Sequence, residues 1–234
     1  MNGRAPPQRA ADALWHWPGA PVEPPNLGRG GHSEVLRIAL PGGAAYLKRQ
    51  RGHTARTWRA PLRGEATLAR EARMLRRAAR AGVGTPPVLY FHTAGAAQHA
   101  AVLLTAALDG FAPPAARTAR AVRHAQLRAA GQAIARLHRA WLQHGALYPK
   151  HVLLAPAGAG FDVRLLDFEK ARLRPPALAA RRDLDSLNRH AVGWSRADRL
   201  RFLLAYCGQA RLSRRGRRLW RHLARRAEGR GPLR

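Results

Sequence analysis

His144-Gly145-Ala146-Leu147-Tyr148-Pro149-Lys150-His151 runs straight into Val152-Leu153-Leu154, and Leu165-Leu166-Asp167-Phe168-Glu169-Lys170 follows after Gly158 and Gly160. Two short apolar runs separated by glycines read as a hairpin, and the second run ends on an aspartate. A lone aspartate after a strand is most often a turn former. Here it closes an ordered series: a long helix, a histidine-containing loop, a strand, a turn, a strand and a carboxylate. The helix is expected over Ala119 to Gln143, where Leu127, Ala130, Ile134 and Leu137 recur on one face.

Downstream of the series, RDLDSLNRHA, ADRLRFLLAYCG and RRGRRLWRHLARRA all read as helix. Upstream, Asp109-Gly110 with Pro113-Pro114 marks a boundary, and the chain before it changes character. GRGGHSEVLRIAL, PGG and AAYLKRQ read as strand, turn and strand, a glycine-rich antiparallel hairpin. Glu65 to Ala81 places Leu68, Ala72, Leu75 and Ala79 at helical intervals, and Gly82 and Gly84 end it. VLYF and HAAVLLTAAL complete a small sheet. Residues 1–25, rich in proline and alanine, lack helical or strand periodicity and read as a leader or a segment draped over the first lobe. The expected organisation is therefore a leader over 1–25, a strand-rich lobe over 26–108 and a helix-rich lobe over 109–234.

Phosphoryl transfer requires phosphates held by backbone donors and a cation, a metal held by carboxylates, and a positioned acceptor hydroxyl. Candidates for these parts occur in order. Gly28, Gly30 and Gly31 open the first hairpin, where missing side chains let backbone N–H groups approach phosphate. Lys48 sits on the next strand and is the single lysine before the boundary. Glu71, with Glu65 as the alternative, stands on the following helix and suits an ion pair with Lys48. Asp167 is the candidate metal carboxylate.

This ordered series resembles the protein-kinase superfamily. HGALYPKH corresponds to its H-x-D-x-x-x-x-N loop and shares the His, Leu and Pro of the common HRDLKPEN form. LYPKHVLL, LLDFEKAR, RDLDSLNR and DRLRFLLAY more specifically resemble the InaA-like branch of the lipopolysaccharide (Kdo/heptose) kinase family, over roughly Leu27 to Gly208. The resemblance implies an α+β, two-lobed protein-kinase-like fold with a strand-rich N-lobe and a helical C-lobe. It implies that Gly28, Gly30 and Gly31 cover the phosphates of ATP, that Lys48 contacts them, and that Glu71 orients Lys48. Thr105 to Leu108 would form the hinge beside the adenine, Asp167 would hold Mg²⁺, Asp183 would brace the loop, and His144 would be a structural member of it. Two positions depart from the pattern: Ala146 replaces the catalytic aspartate and His151 the metal-binding asparagine. An alanine methyl can neither accept a proton nor orient a hydroxyl, which leaves His144, Tyr148 or His151 as substitutes.

The implied activity is phosphotransfer from ATP to a sugar hydroxyl of the lipopolysaccharide core, and the alternative opened by Ala146 is a pseudokinase that binds nucleotide without turnover. Arg56, Arg59 and Arg63 are candidates for gripping acceptor phosphates. The net charge of +29 favours an anionic glycolipid or an anionic membrane surface. Only Lys48, Lys150 and Lys170 are lysines, so arginine carries nearly all of it, alongside alanine, glycine and proline that share GC-rich codons. No zinc-ligand spacing or aromatic-interleaved basic motif points to nucleic acid. One cysteine, no apolar leader and no apolar run of the ~20 residues that span a bilayer make the cytoplasm the expected compartment, with peripheral contact at the inner membrane.

Overall fold

The computed structural model describes residues 8–57, 60–94, 100–115 and 118–228. The chain divides into two compact units, Met1–Arg76 with Pro86–Asp109 and Arg77–Thr85 with Gly110–Arg234. Among the described residues no helix is long and apolar enough to cross a membrane.

The first unit opens with helix α1 (Gln8–Trp15) and strands β1 (Ala20–Pro21), β2 (His32–Leu40) and β3 (Gly43–Arg51). A hairpin of β4 (Thr54–Thr57) and β5 (Ala60–Ala66), helix α2 (Thr67–Arg80) and strands β6 (Val88–Ala94) and β7 (Ala100–Ala106) come next. Five strands form one antiparallel sheet in the order β1-β2-β3-β7-β6.

Strand parity explains how β3 serves both faces of this sheet. Ala45 and Leu47 point to one side, where they join Leu36, Ile38, Val102 and Leu104 and are covered by Ala11, Leu14 and Trp15 of α1. Arg49, of the same parity, donates to the carbonyls of Trp15 and Trp17 and pairs with Glu34 at 3.0 Å. Lys48 and Gln50 point to the other side, toward α2. The Gln50 carboxamide oxygen accepts from Thr67 Oγ1 at 2.6 Å and from Leu68 N at 3.2 Å, fastening the helix start. The buried stripe of α2 is Leu68, Glu71, Ala72, Leu75 and Ala78, so the helix is rolled to bury Glu71 and leave Ala79 exposed.

Three expectations are corrected here. Residues 8–15 are helical rather than aperiodic; eight residues cannot hold a helix alone, and the sheet face supplies the partner. The β4–β5 hairpin was not anticipated, and Glu65 lies on β5 rather than on the helix. Residues 77–85 belong with the second unit: Leu165 N donates to Gly84 O at 2.9 Å, and a Cβ on Gly84 would sit 2.1 Å from Val163 O.

The second unit contains α3 (Arg120–Arg139), β8 (Leu142–Gln143), β9 (Val152–Ala157), β10 (Gly160–Leu165), β11 (Arg172–Leu173), α4 (Pro176–His190), α5 (Arg196–Cys207) and α6 (Arg214–Glu228). β9 and β10 form the expected hairpin, and β8 pairs with β11. Helix α3 is shorter than its periodicity suggests, because Trp141 takes a positive φ of 61° and turns the chain into β8. Leu127, Ile134 and Leu137 make α3 the core of the unit. At Gly131 it meets α5 so closely that a Cβ would lie 2.7 Å from Phe202 O.

Candidate active site

In the first unit Lys48 Nζ lies 2.6 Å from Glu71 Oε1, and the carboxylate side chain is 4% exposed. The alternative partner, Glu65, is engaged elsewhere: its oxygens accept from Arg73 at 2.5 and 2.8 Å. The glycine-rich segment is a single 3-10 turn, Gly28–Gly30. Gly28 N donates to Asn26 Oδ1 at 2.9 Å and Gly31 N to Gly28 O at 3.2 Å, so both amides are used within the loop. A Cβ on Gly31 would fall 2.7 Å from the His53 ring, which would have to shift, and Gly30 has a φ of 71°. Thr105 is buried near the end of β7, and Leu108 follows the strand and is half-buried. Arg59 lies outside the described residues, as do the side chains of Arg56 and Arg63.

In the second unit the loop 144–151 is held from α4. Asp183 Oδ2 accepts from His144 N at 2.6 Å, and Oδ1 accepts from Gly145 N at 2.9 Å. His138 Nε2 stands 3.1 Å from Asp183 Oδ2, and its Nδ1 2.9 Å from Tyr206 Oη. The carboxylate can only accept, so Nε2 carries a proton; burial raises the Tyr206 pKa, which keeps its hydroxyl available to donate to Nδ1. This chain from Tyr206 through His138 to Asp183 joins α5, α3 and α4 to the loop. His138 and Tyr206 were not anticipated in this role, since no local signal links residues so far apart in sequence.

Gly145 is required by geometry, with φ 82° and a would-be Cβ 2.5 Å from Lys170 O. The His144 ring is fully buried beside Phe168, centroids 4.9 Å apart. Burial lowers its pKa to about 4, against the opposing charges of Asp183 and Asp167. It is therefore a neutral packing residue near pH 7 and a poor proton carrier.

Ala146 is buried at 1% exposure. His151 Nδ1 is 2.8 Å from its carbonyl oxygen and 3.6 Å from Asp167 Oδ2. The Tyr148 ring packs tilted against His151 and edge-on against His190, centroids 5.3 and 4.5 Å away. Asp167 has a positive φ of 63°, unusual for a residue with a side chain, and its side chain is 28% exposed. Aspartate is among the few side chains that tolerate this region, and the turn comes just after the apolar strand β10. Tyr148, His151 and Asp167 thus gather within one unit, with Ala146 beneath them contributing only backbone.

The chain resembles known proteins over most of its length. A sequence model of the Lipopolysaccharide kinase (Kdo/WaaP) family matches residues 12–206. Protein InaA of Escherichia coli (strain K12) is 32% identical over 178 residues, covering 70% of this chain and 80% of InaA. The 3-deoxy-D-manno-octulosonic acid kinase of Stenotrophomonas maltophilia (strain K279a) is 32% identical over 188 residues, covering 76% of this chain and 72% of that enzyme. Among solved structures, WaaP in complex with acyl carrier protein matches with a TM-score of 0.71 at 23% identity, over 93% of this chain and 91% of that one. An aminoglycoside-3'-phosphotransferase of type VIII matches with a TM-score of 0.59 at 19% identity, over 93% and 98%. The chain therefore belongs to the lipopolysaccharide kinase (Kdo/WaaP) family and has a protein-kinase-like fold.

Proposed function

We propose that the protein binds Mg²⁺-ATP and transfers its terminal phosphoryl group to a sugar hydroxyl of the lipopolysaccharide core at the cytoplasmic face of the inner membrane. The observation that carries this reading is the Lys48–Glu71 ion pair at 2.6 Å. A lysine point charge fixed by a buried carboxylate is suited to a triphosphate, and nothing in sheet packing alone demands it.

In this reading Lys48 binds the phosphates, Glu71 orients it, and the turn at Gly28 to Gly31 lets the backbone approach closely. Thr105 and Leu108 border the adenine. Asp167 would hold the metal, which when bound neutralises charge developing on the transferred phosphoryl group. One protein carboxylate suits Mg²⁺, which commonly takes its other oxygens from phosphate and water. Asp183 holds the loop amides of His144 and Gly145 in place. Ala146 cannot take the acceptor proton, which leaves Tyr148 and His151, the two half-buried polar side chains on the same loop, to orient the hydroxyl.

Ala146 also favours a second reading, a pseudokinase that binds nucleotide or a partner without transfer. Incubation of purified protein with labelled ATP, Mg²⁺ and deacylated lipopolysaccharide separates the two. Incorporation of label into the sugar is expected, and nucleotide binding with no incorporation under any metal would establish the second reading instead.

A further inference from the structure

The second unit carries a 610 Å³ pocket that begins at the loop itself, with Gly145 and Tyr148 in its wall. The β8–β11 ladder sets Gln143 directly opposite Arg172, and both line the pocket. Helix α4 adds Arg181, Arg182 and Arg189, and α6 adds His222 and Arg226.

The charges in this wall do not balance. Two carboxylates line it, Asp183 and Asp185. Asp183 is consumed by His138 and the amides of His144 and Gly145. Asp185 lies between Arg189 at 3.4 Å and Arg226 at 2.9 Å. Arg172, Arg181 and Arg182 remain, all exposed and without an acidic partner among the described residues. Three uncompensated guanidinium groups around one concavity repel one another, and an anion relieves that repulsion while accepting their N–H groups in pairs. The same field reaches His222, whose pKa is lowered first by burial and then by Arg181 and Arg226, with Asp185 opposing. Gln143 adds a second kind of demand. It is 3% exposed, and its carboxamide oxygen, shut off from solvent as it stands, finds no hydrogen-bond donor; a turn of the side chain toward the pocket would let a sugar hydroxyl supply one.

The geometry points to this pocket as the subsite that holds an anionic group of the acceptor, a phosphate or carboxylate carried on a sugar, through Arg172, Arg181 and Arg182. The inference rests on the proposed phosphotransfer only for the word acceptor; the anion site stands on its own charges. It also moves the acceptor grip from Arg56, Arg59 and Arg63, which the sequence suggests, to the helical unit beside Tyr148.

Titration calorimetry with two soluble probes tests it: a deacylated core oligosaccharide bearing phosphate and acid groups, and a neutral oligosaccharide of similar size. Arg181→Ala with Arg182→Ala should weaken binding of the anionic probe by about a hundredfold and Arg172→Ala by about tenfold, while neutral-probe binding stays unchanged. Arg181→Lys with Arg182→Lys should retain part of the affinity. Arg136→Ala with Arg214→Ala, exposed arginines outside the pocket, removes the same charge and should change little. Equal losses in that control, or equal affinity of wild type for the two probes, would overturn the subsite. Phosphatidylglycerol vesicles identify the source: if the pocket variants lose vesicle binding but keep the oligosaccharide, the anion is a lipid headgroup and the acceptor assignment fails. Mg²⁺-ATP binding is measured in parallel. Its absence with the anion site intact would sink the phosphotransfer reading alone, and its presence with no anion dependence would sink the subsite alone.

Discussion

The Nδ1 atom of His151 lies 2.8 Å from the carbonyl oxygen of Ala146. A carbonyl only accepts, so His151, which the sequence resemblance sets against a metal-binding asparagine, spends one N–H on the backbone of Ala146, which the same resemblance sets against the catalytic aspartate. Both departures from the motif are thereby tied together in one loop, and changing either alone alters the setting of the other.

Ala146→Asp with His151→Asn should raise phosphotransfer to lipopolysaccharide, because a positioned general base contributes about a hundred- to ten-thousand-fold. The gain comes with a stability cost, since position 146 is 1% exposed and burying a polar group there costs roughly 1 to 3 kcal/mol. Single-turnover rates and thermal melts report the two effects separately. A wild type that outpaces the double variant would mean that Tyr148 or His151 already orients the hydroxyl.

Lys48→Ala should weaken Mg²⁺-ATP binding by about 1.5 to 3 kcal/mol and also destabilise the fold, because it leaves the Glu71 carboxylate, 4% exposed, without its cation. Lys48→Met with Glu71→Leu removes the stranded charge and should recover stability but not nucleotide affinity. Recovery of both would reduce the pair to a structural feature of the sheet.

Much of the fold was legible in sequence for a physical reason: alternation and helical periodicity mark elements long enough to show them. β2, β3, β6, β7, the β9–β10 hairpin and α4 to α6 are of that kind. Helix α1 and the two-residue strands β8 and β11 owe their shape to the surfaces they pack on, so no local pattern announces them. In the site, Lys48 and Glu71 stood out because lysines and acids are scarce, whereas Asp183 was expected only through the family resemblance. The arginines of the anion pocket did not, since in an arginine-dominated chain only the fold reveals which ones lack a carboxylate.

Asp183→Asn tests the brace. The aspartate accepts from three donors, His144 N, Gly145 N and His138 Nε2. An asparagine offers one oxygen and turns an NH₂ toward the remaining donors, costing about 1 to 3 kcal/mol for each group left unsatisfied. The amides of His144 and Gly145 should lose hydrogen-exchange protection along with global stability. Protection that persists in the variant would show that the loop is held by its own packing.

His144 makes a prediction about acid. Its imidazole pKa is about 4 in the folded chain, against an ordinary value of 6.5 that the unfolded chain restores. Between those values the unfolded state binds a proton that the folded state excludes, so stability rises with pH across the window. The contribution is fully present above about pH 6.5 and is lost progressively toward pH 4, amounting to about 3 kcal/mol in all. His144→Phe, placing a second ring against Phe168, removes the titrating group while keeping an aromatic in the cavity. Urea unfolding at a series of pH values should therefore show wild type losing stability relative to the variant as pH falls from 7 to 4, with the gap widening by about 3 kcal/mol. Parallel curves for the two proteins would mean that His144 takes up its proton in the folded chain, and that the loop has a charge-accepting partner for it at the buried face of Phe168.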